Sequence, residues 1–295
     1  MSSATFDKKQ DNLDTLEISS SRPRNWIGTL LTVLAFALLA LALLPLVLVI
    51  AYVIIKGANR FNATLFTELP PAALQEGGGI ANAIVGTLIV VAIAAVISIP
   101  IGVLAAVYLS EFAPKGVARW IRFATNVLSG VPSIIVGIFA YGAVVLKTGG
   151  FSAFAAGFAL SILMLPIVVR TTDEALQIVP QDVRWASVGV GASNFHTVLK
   201  IVLPAALPAI VTGTTLAIAR AAGETAPLIF TALFSQFWPS GLFEPIPTVS
   251  VLVYNYATVP YQNQRELAWA ASLILVLMIL LASVISRLAT RKSTY

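Results

Sequence analysis

From Trp26 to Leu288 the chain is a succession of apolar runs. Each is long enough to cross a hydrocarbon core of roughly 30 Å, which takes about 20 helical residues. They fall near residues 27–55, 80–109, 121–146, 151–169, 205–233 and 267–288, and they predict an all-α polytopic membrane protein with six transmembrane helices. A water-facing fold is excluded by the charge content, because 11% of the residues are charged and 58% are hydrophobic, whereas soluble domains carry about 25% charged residues. The run from Ile27 to Ile55 is too long for the core of a secretory signal and reads as the first spanning helix. Residues 1–25 are polar and mixed in charge, which predicts a disordered tail ahead of a membrane domain over 26–295.

The distribution of Lys and Arg orients these helices. With the amino terminus inside, Lys8, Lys9, Arg22, Arg24, Lys115, Arg119, Arg122, Arg170, Arg184, Lys200, Arg287, Arg291 and Lys292 lie inside, against Lys56, Arg60, Lys147 and Arg265 outside. That 13 to 4 imbalance predicts cytoplasmic termini. It also accounts for the net charge of +5 without nucleic acid. There is no cysteine and a single histidine, His196, so disulfides, thiolate metal sites and multi-histidine centres are excluded, and no cofactor site is expected.

Several of the runs are interrupted by proline, at Pro100, Pro132, Pro166 and Pro227. In lipid the carbonyls that each proline frees need partners in neighbouring helices or a wet cavity. The stretch from Arg170 to Pro204 reads as helix, Gly189-Val190-Gly191 break and second short helix, opened by Ser193 or Asn194 as N-cap and lying across the membrane face. The stretch from Gln236 to Gln264 holds Trp238, Phe243, Tyr254, Tyr256 and Tyr261 and reads as an interfacial aromatic belt.

Two charges fall well inside an apolar run, Arg220 and Glu224 in the fifth. Placing either at mid-bilayer costs roughly 2.5–3.5 kcal/mol on insertion scales. Four apart on a helix they share a face, and at about 4 Å with an effective dielectric near 20 they attract by about 4 kcal/mol. Two readings follow, a buried ion pair that braces two helices and a point on an ion route. For the second, a guanidinium matches an oxyanion in bidentate fashion, and the neighbouring carboxylate keeps occupancy transient.

Three stretches resemble the A-type membrane subunits of bacterial phosphate ABC importers, permeases of the type I importer family. They are RAAGETAPLIFTAL over residues 220–233, SGVPSIIVG over 129–137, and MLPIVVRTTDEAL over 164–176, followed by VPQDVR. The resemblance implies a six-helix importer permease bundle with a cytoplasmic coupling segment at about 171–204. It implies four kinds of neighbour: a homologous C-type permease subunit, two ATP-binding subunits, an extracytoplasmic phosphate-binding protein and inner-membrane lipid. It places Arg220, Glu224 and Thr225 on the translocation route, with Arg170 and Ser133 in the other two stretches.

The coupling motif of such permeases has a glutamate-alanine-alanine triplet ahead of a glycine. Here Gly191 stands at the family's spacing before Ile201, Leu203 and Pro204, but the triplet reads Trp185-Ala186-Ser187. Those three, with Gly191, Ala192, Ser193, Asn194 and His196, are the residues the resemblance assigns to ATPase coupling. The chain has no G-x-x-x-x-G-K-[ST] loop, so ATP is expected to be used by partner subunits and no catalytic residue is expected here. Two other classes fit the residues less well. An anion channel or secondary transporter would show sequence halves or proton-relay carboxylates, and a membrane-embedded enzyme would need a cluster of His, Asp or Ser groups.

Overall fold

A computed structural model describes residues 23–291; the tail expected over 1–25 lies almost wholly outside the described residues. The described chain is helical, in the order α1 (Pro23–Ala58), α2 (Ala81–Val107), α3 (Lys115–Ser129), α4 (Ser133–Ala140), α5 (Ala153–Ile178), α6 (Gln181–Gly189), α7 (Asn194–Thr197), α8 (Leu203–Ala222), α9 (Ala226–Ile229), α10 (Val249–Ala257) and α11 (Gln262–Arg291). It divides into two units, one ending at Tyr52 and the other running from Val53. Within the first lies α1 as far as Tyr52, whose apolar side chains from Trp26 to Ile50 are exposed, as a lipid-facing helix requires. The second holds everything else.

Five helical segments are long and apolar enough to cross a membrane, and a sixth if a bent pair counts as one span. That pair is the third expected helix, broken at the expected proline but turned far more sharply than a bend. α3 and the helix begun by α4 meet at 97° across Gly130, Val131 and Pro132. Proline lacks the donor that would continue the helix and biases the residue before it toward extended backbone, so the chain turns there.

Two more boundaries move. The fourth span does not stop at residue 169 but continues to Ile178, ending where Pro180 holds Val179 extended (φ −64°, ψ 124°). Arg170 is therefore inside a helix and not in a loop. The fifth span begins at Asn194, where α7 passes through a π turn (Val198–Val202) into α8, so the second short helix of the coupling segment is the start of a spanning helix.

α5 is the central helix, with 61% of its most apolar window buried against 33% for the α7–α8 segment. It packs closely on α2 because glycines stand at two points of the contact. A Cβ on Gly157 would lie 2.4 Å from Ile93, and one on Gly102 would lie 2.7 Å from Val168. Small residues are what let helices approach where lipid supplies no hydrophobic drive between them.

The Gln236–Gln264 stretch is more than an aromatic belt. The first N–H groups of a helix have no partner within it. Here Ser152, Ala153 and Phe154 donate theirs to the carbonyls of Thr231, Glu244 and Leu242, at 3.0, 3.1 and 2.9 Å, and the Ser152 hydroxyl accepts from Ala155. This stretch, together with Thr231 ahead of it, thus closes the start of α5 and then forms α10, whose Val249 N–H donates to Thr87 of α2. Tyr256 and Gln264 both donate to the Pro71 carbonyl, which ties in the 59–80 loop. Burial pushes the Tyr256 phenol above its ordinary pKa, against the opposing effect of a hydrogen bond from Gln236.

The opposite end of α5 is closed by Arg184 of α6. Its guanidinium donates to the Leu176 and Val179 carbonyls and to both oxygens of Glu111, in the π turn (Tyr108–Phe112) that ends α2. The Arg184 and Glu111 side chains are 12% and 8% exposed, so each is a buried charge that depends on the other. Breaking such a pair from one side costs about 3–5 kcal/mol, whereas removing both charges costs much less. Arg184→Ala is accordingly expected to lower the melting temperature of the purified protein by more than Glu111→Gln combined with Arg184→Gln does. Equal shifts in thermal unfolding would contradict the pairing.

Candidate functional site

The segment that carries Arg220 and Glu224 is not one continuous helix, which corrects the expected span over 205–233. α8 stops at Ala222, Gly223 is its C-cap, and Glu224 and Thr225 lie in a short break before α9, whose first turn carries Pro227. The Gly223 and Glu224 N–H groups donate to the carbonyls of Arg220 and Ala221, each at 3.2 Å. The Glu224 carbonyl accepts from the Ser250 hydroxyl of α10 at 2.8 Å, so the outer stretch pins the break.

Arg220 stands in the last turn of α8, where the helix dipole favours a cation by about 0.3–1 kcal/mol. Its Nε lies 3.8 Å from Glu224 Oε1, and the two side chains are 65% and 19% exposed. These numbers decide against the brace. Both partners belong to one stretch of chain, so the pair ties no two helices together. The guanidinium is turned away from the rest of the described chain, and at 3.8 Å the contact is long for a hydrogen-bonded ion pair.

Beneath the pair, Leu163, Met164 and Ile167 of α5 and Ala217 and Ala221 of α8 close a cleft of about 10 Å³. A water needs roughly that much or more, so the space beneath the pair is too small for a larger group, and Arg220 is open on its other side. Thr225 is half-buried and is the N-cap of α9, although its side chain makes no capping bond.

The structure does not gather every expected site residue there. Ser133 opens α4, one turn before Gly137, where a Cβ would lie 2.7 Å from Pro227 Cα. It therefore sits on the helix that packs against α9, without lining the Arg220 cleft. Arg170 lies farther along α5, paired with Glu174 at 2.9 Å. Among the described residues no group of three or more His, Cys, Asp or Glu side chains is gathered to hold a metal ion.

At the other end of the bundle, α6 and α7 make the expected helix-break-helix. Gly191 takes φ +93°, a backbone that favours glycine, and its N–H donates to the Val188 carbonyl. Ser193 is the N-cap, accepting from the His196 N–H, while Asn194 is the first helical residue and Ala192 is half-buried. The Ser187 and Thr197 hydroxyls, both buried, meet at 2.9 Å and join the two helices. In the resembling triplet the Ser187 position holds alanine, which could not make that bond. Trp185 is 69% exposed, and Ala186 and His196 are exposed beside it.

Sequence reading missed Arg122 and Asp173. Arg122 of α3 donates through Nε and Nη2 to both oxygens of Asp173, at 2.7 and 2.9 Å. The two residues are 51 positions apart, and no local spacing announces their meeting.

Comparison with known proteins agrees with this arrangement. Residues 98–294 match the family described as binding-protein-dependent transport system inner membrane component. The chain is 37% identical to the phosphate transport system permease protein PstA of Yersinia pestis over 295 residues, 99% of each chain. It is 42% identical to the protein of the same name in Haemophilus influenzae over 236 residues, 80% of this chain and 83% of that one. Its fold is similar to a chain of the MetNI methionine ABC transporter in inward-facing conformations, with a TM-score of 0.61 at 20% identity, covering 72% of this chain and 97% of that one. The chain therefore belongs to the binding-protein-dependent transport system inner membrane components, in the PstA family of phosphate transport system permeases.

Proposed function

We propose that this chain is the permease subunit through which an ATP-driven importer moves inorganic phosphate across the bacterial inner membrane, and that Arg220 is the group that meets the ion. The observation that carries this reading is the Arg220–Glu224 pair. It is confined to one segment, holds no helices together, and leaves the guanidinium open on the face of the bundle. Arginine stays charged and offers a fork of donors suited to a tetrahedral oxyanion. Glu224, 3.8 Å away, offsets that charge and keeps the hold weak enough for release. Thr225 supplies a hydroxyl in the same break.

In this reading the chain is not an enzyme. ATP is bound and hydrolysed by two partner subunits, a homologous second permease completes the path, and a phosphate-binding protein delivers the ion from outside. The α6–α7 face meets the ATPase. Trp185 stands where the family's glutamate would, so that contact rests more on apolar burial than on an ion pair.

The complete transporter, reconstituted in liposomes with radiolabelled phosphate outside, tests the ion route. Arg220→Gln is expected to lower ATP-dependent uptake at least tenfold while ATP hydrolysis and subunit assembly persist. Unchanged uptake would return the pair to a structural role, and uptake independent of ATP would favour a channel or secondary transporter.

Orientation has its own test, because the chain has no cysteine to confuse labelling. With both termini and the coupling face cytoplasmic, an impermeant maleimide is expected to label Lys147→Cys in right-side-out vesicles and Gly116→Cys only in inverted ones. The reverse pattern would invert the topology.

A further inference from the structure

The face of α5 that closes the Arg220 cleft continues to a second pair of arginines. Leu163, Ile167, Arg170 and Glu174 follow at helical spacing along one stripe. Leu163 and Ile167 lie beside Arg220. Arg170, Asp173 and Glu174 of α5 line a separate cavity of about 350 Å³ between α3 and α5, with Arg122 and Asn126 of α3 opposite. From Ile167 to Arg170 the rise is about 4.5 Å, less than one helical turn, toward the end of the bundle that carries α6 and α7.

Within the cavity the two arginines are held very differently. Arg122 is clamped by both oxygens of Asp173, which is 6% exposed, so its charge is fixed in the wall. Arg170 gives only Nε to Glu174, in a pair whose side chains are 62% and 59% exposed. Such a pair is weak and readily exchanged. Its two terminal nitrogens make no hydrogen bond among the described residues. Arg170 and Glu174 also repeat the order and spacing of Arg220 and Glu224: an exposed arginine with a glutamate four residues later.

We propose that this cavity is a second station for a phosphate-class oxyanion, with Arg170 as its accessible cation and Arg122 as its fixed one, reached from Arg220 along the α5 stripe. The proposal rests on the reading of Arg220 as the first station. Two weak sites along one helical stripe suit passage better than one strong site, since each can release the ion that it holds. The neutral sum of two arginines and two carboxylates keeps the second as transient as the first.

Arginine modification by phenylglyoxal tests this, using the complete transporter in phosphatidylcholine nanodiscs and peptide mass spectrometry to read each residue. Inorganic phosphate is expected to slow modification of both Arg170 and Arg220 at least threefold relative to potassium chloride at equal ionic strength. The exposed Arg119 should be unchanged and serves as the internal reference. Protection at Arg220 alone overturns the second station and leaves the first reading standing, while protection at neither overturns both. Protection at Arg170 alone overturns the route from Arg220, whereas its persistence in Arg220→Gln, with both sites protected in the unaltered chain, upholds the cavity as a distinct station. A parallel arm replaces phosphate with phosphatidylglycerol in the discs. Protection of Arg170 by that lipid but not by inorganic phosphate would make the cavity a headgroup site and overturn the relay.

Discussion

In hydrocarbon a backbone N–H or carbonyl with no partner costs several kcal/mol, and this fold is organised around the places where its helices leave such groups free. The start of α5 is closed by three carbonyls from the stretch that leads into α10. Its end is closed by Arg184, which reaches two carbonyls and Glu111 together. The most buried helix is thus fastened at both ends by segments distant in sequence. The break after α8 is supported from outside as well, by Ser250 on the Glu224 carbonyl. These three interruptions are each met by a donor or acceptor from another element.

The charged pairs divide on the same physical ground. Arg184–Glu111 and Arg122–Asp173 join different helices and bury at least one partner, so they fix geometry. Arg220–Glu224 and Arg170–Glu174 each stay within one segment with the guanidinium open, so they fix little and remain available to a ligand. Distance alone does not separate the groups, since Arg170–Glu174 at 2.9 Å is nearly as close as Arg184–Glu111 at 2.8 Å. Connectivity and burial do.

Much of this was legible in the residues. Apolar run length located the helices, and the lone charges in the fifth run marked Arg220 and Glu224. Ser193 and Gly191 announced their cap and their left-handed backbone. What was not legible depended on tertiary partners. Apolarity carries through Ser129–Ser133, so hydropathy did not reveal the 97° turn that Pro132 helps impose. Arg170 looked like the first residue after a span because charge usually ends one, whereas the helix carries it eight residues short of Ile178. α10 is only nine residues long, and its fold depends on contacts with Thr87 and Pro71 that no periodicity encodes.

The continuity of α7, the π turn and α8 has a mechanical consequence. Asn194 at the coupling face and Arg220 near the break are ends of a single rod of about 40 Å at 1.5 Å per residue. A rod of that length turns a tilt of about 5° at one end into a shift of about 3 Å at the other, enough to make or break a hydrogen bond. The π turn at Val198–Val202 sits close to the pushed end, where a change in helical register would alter the angle of the whole rod. The residues proposed for coupling and the arginine proposed for the ion route therefore share one lever arm, with the Ser187–Thr197 hydroxyl contact joining α6 to its short end.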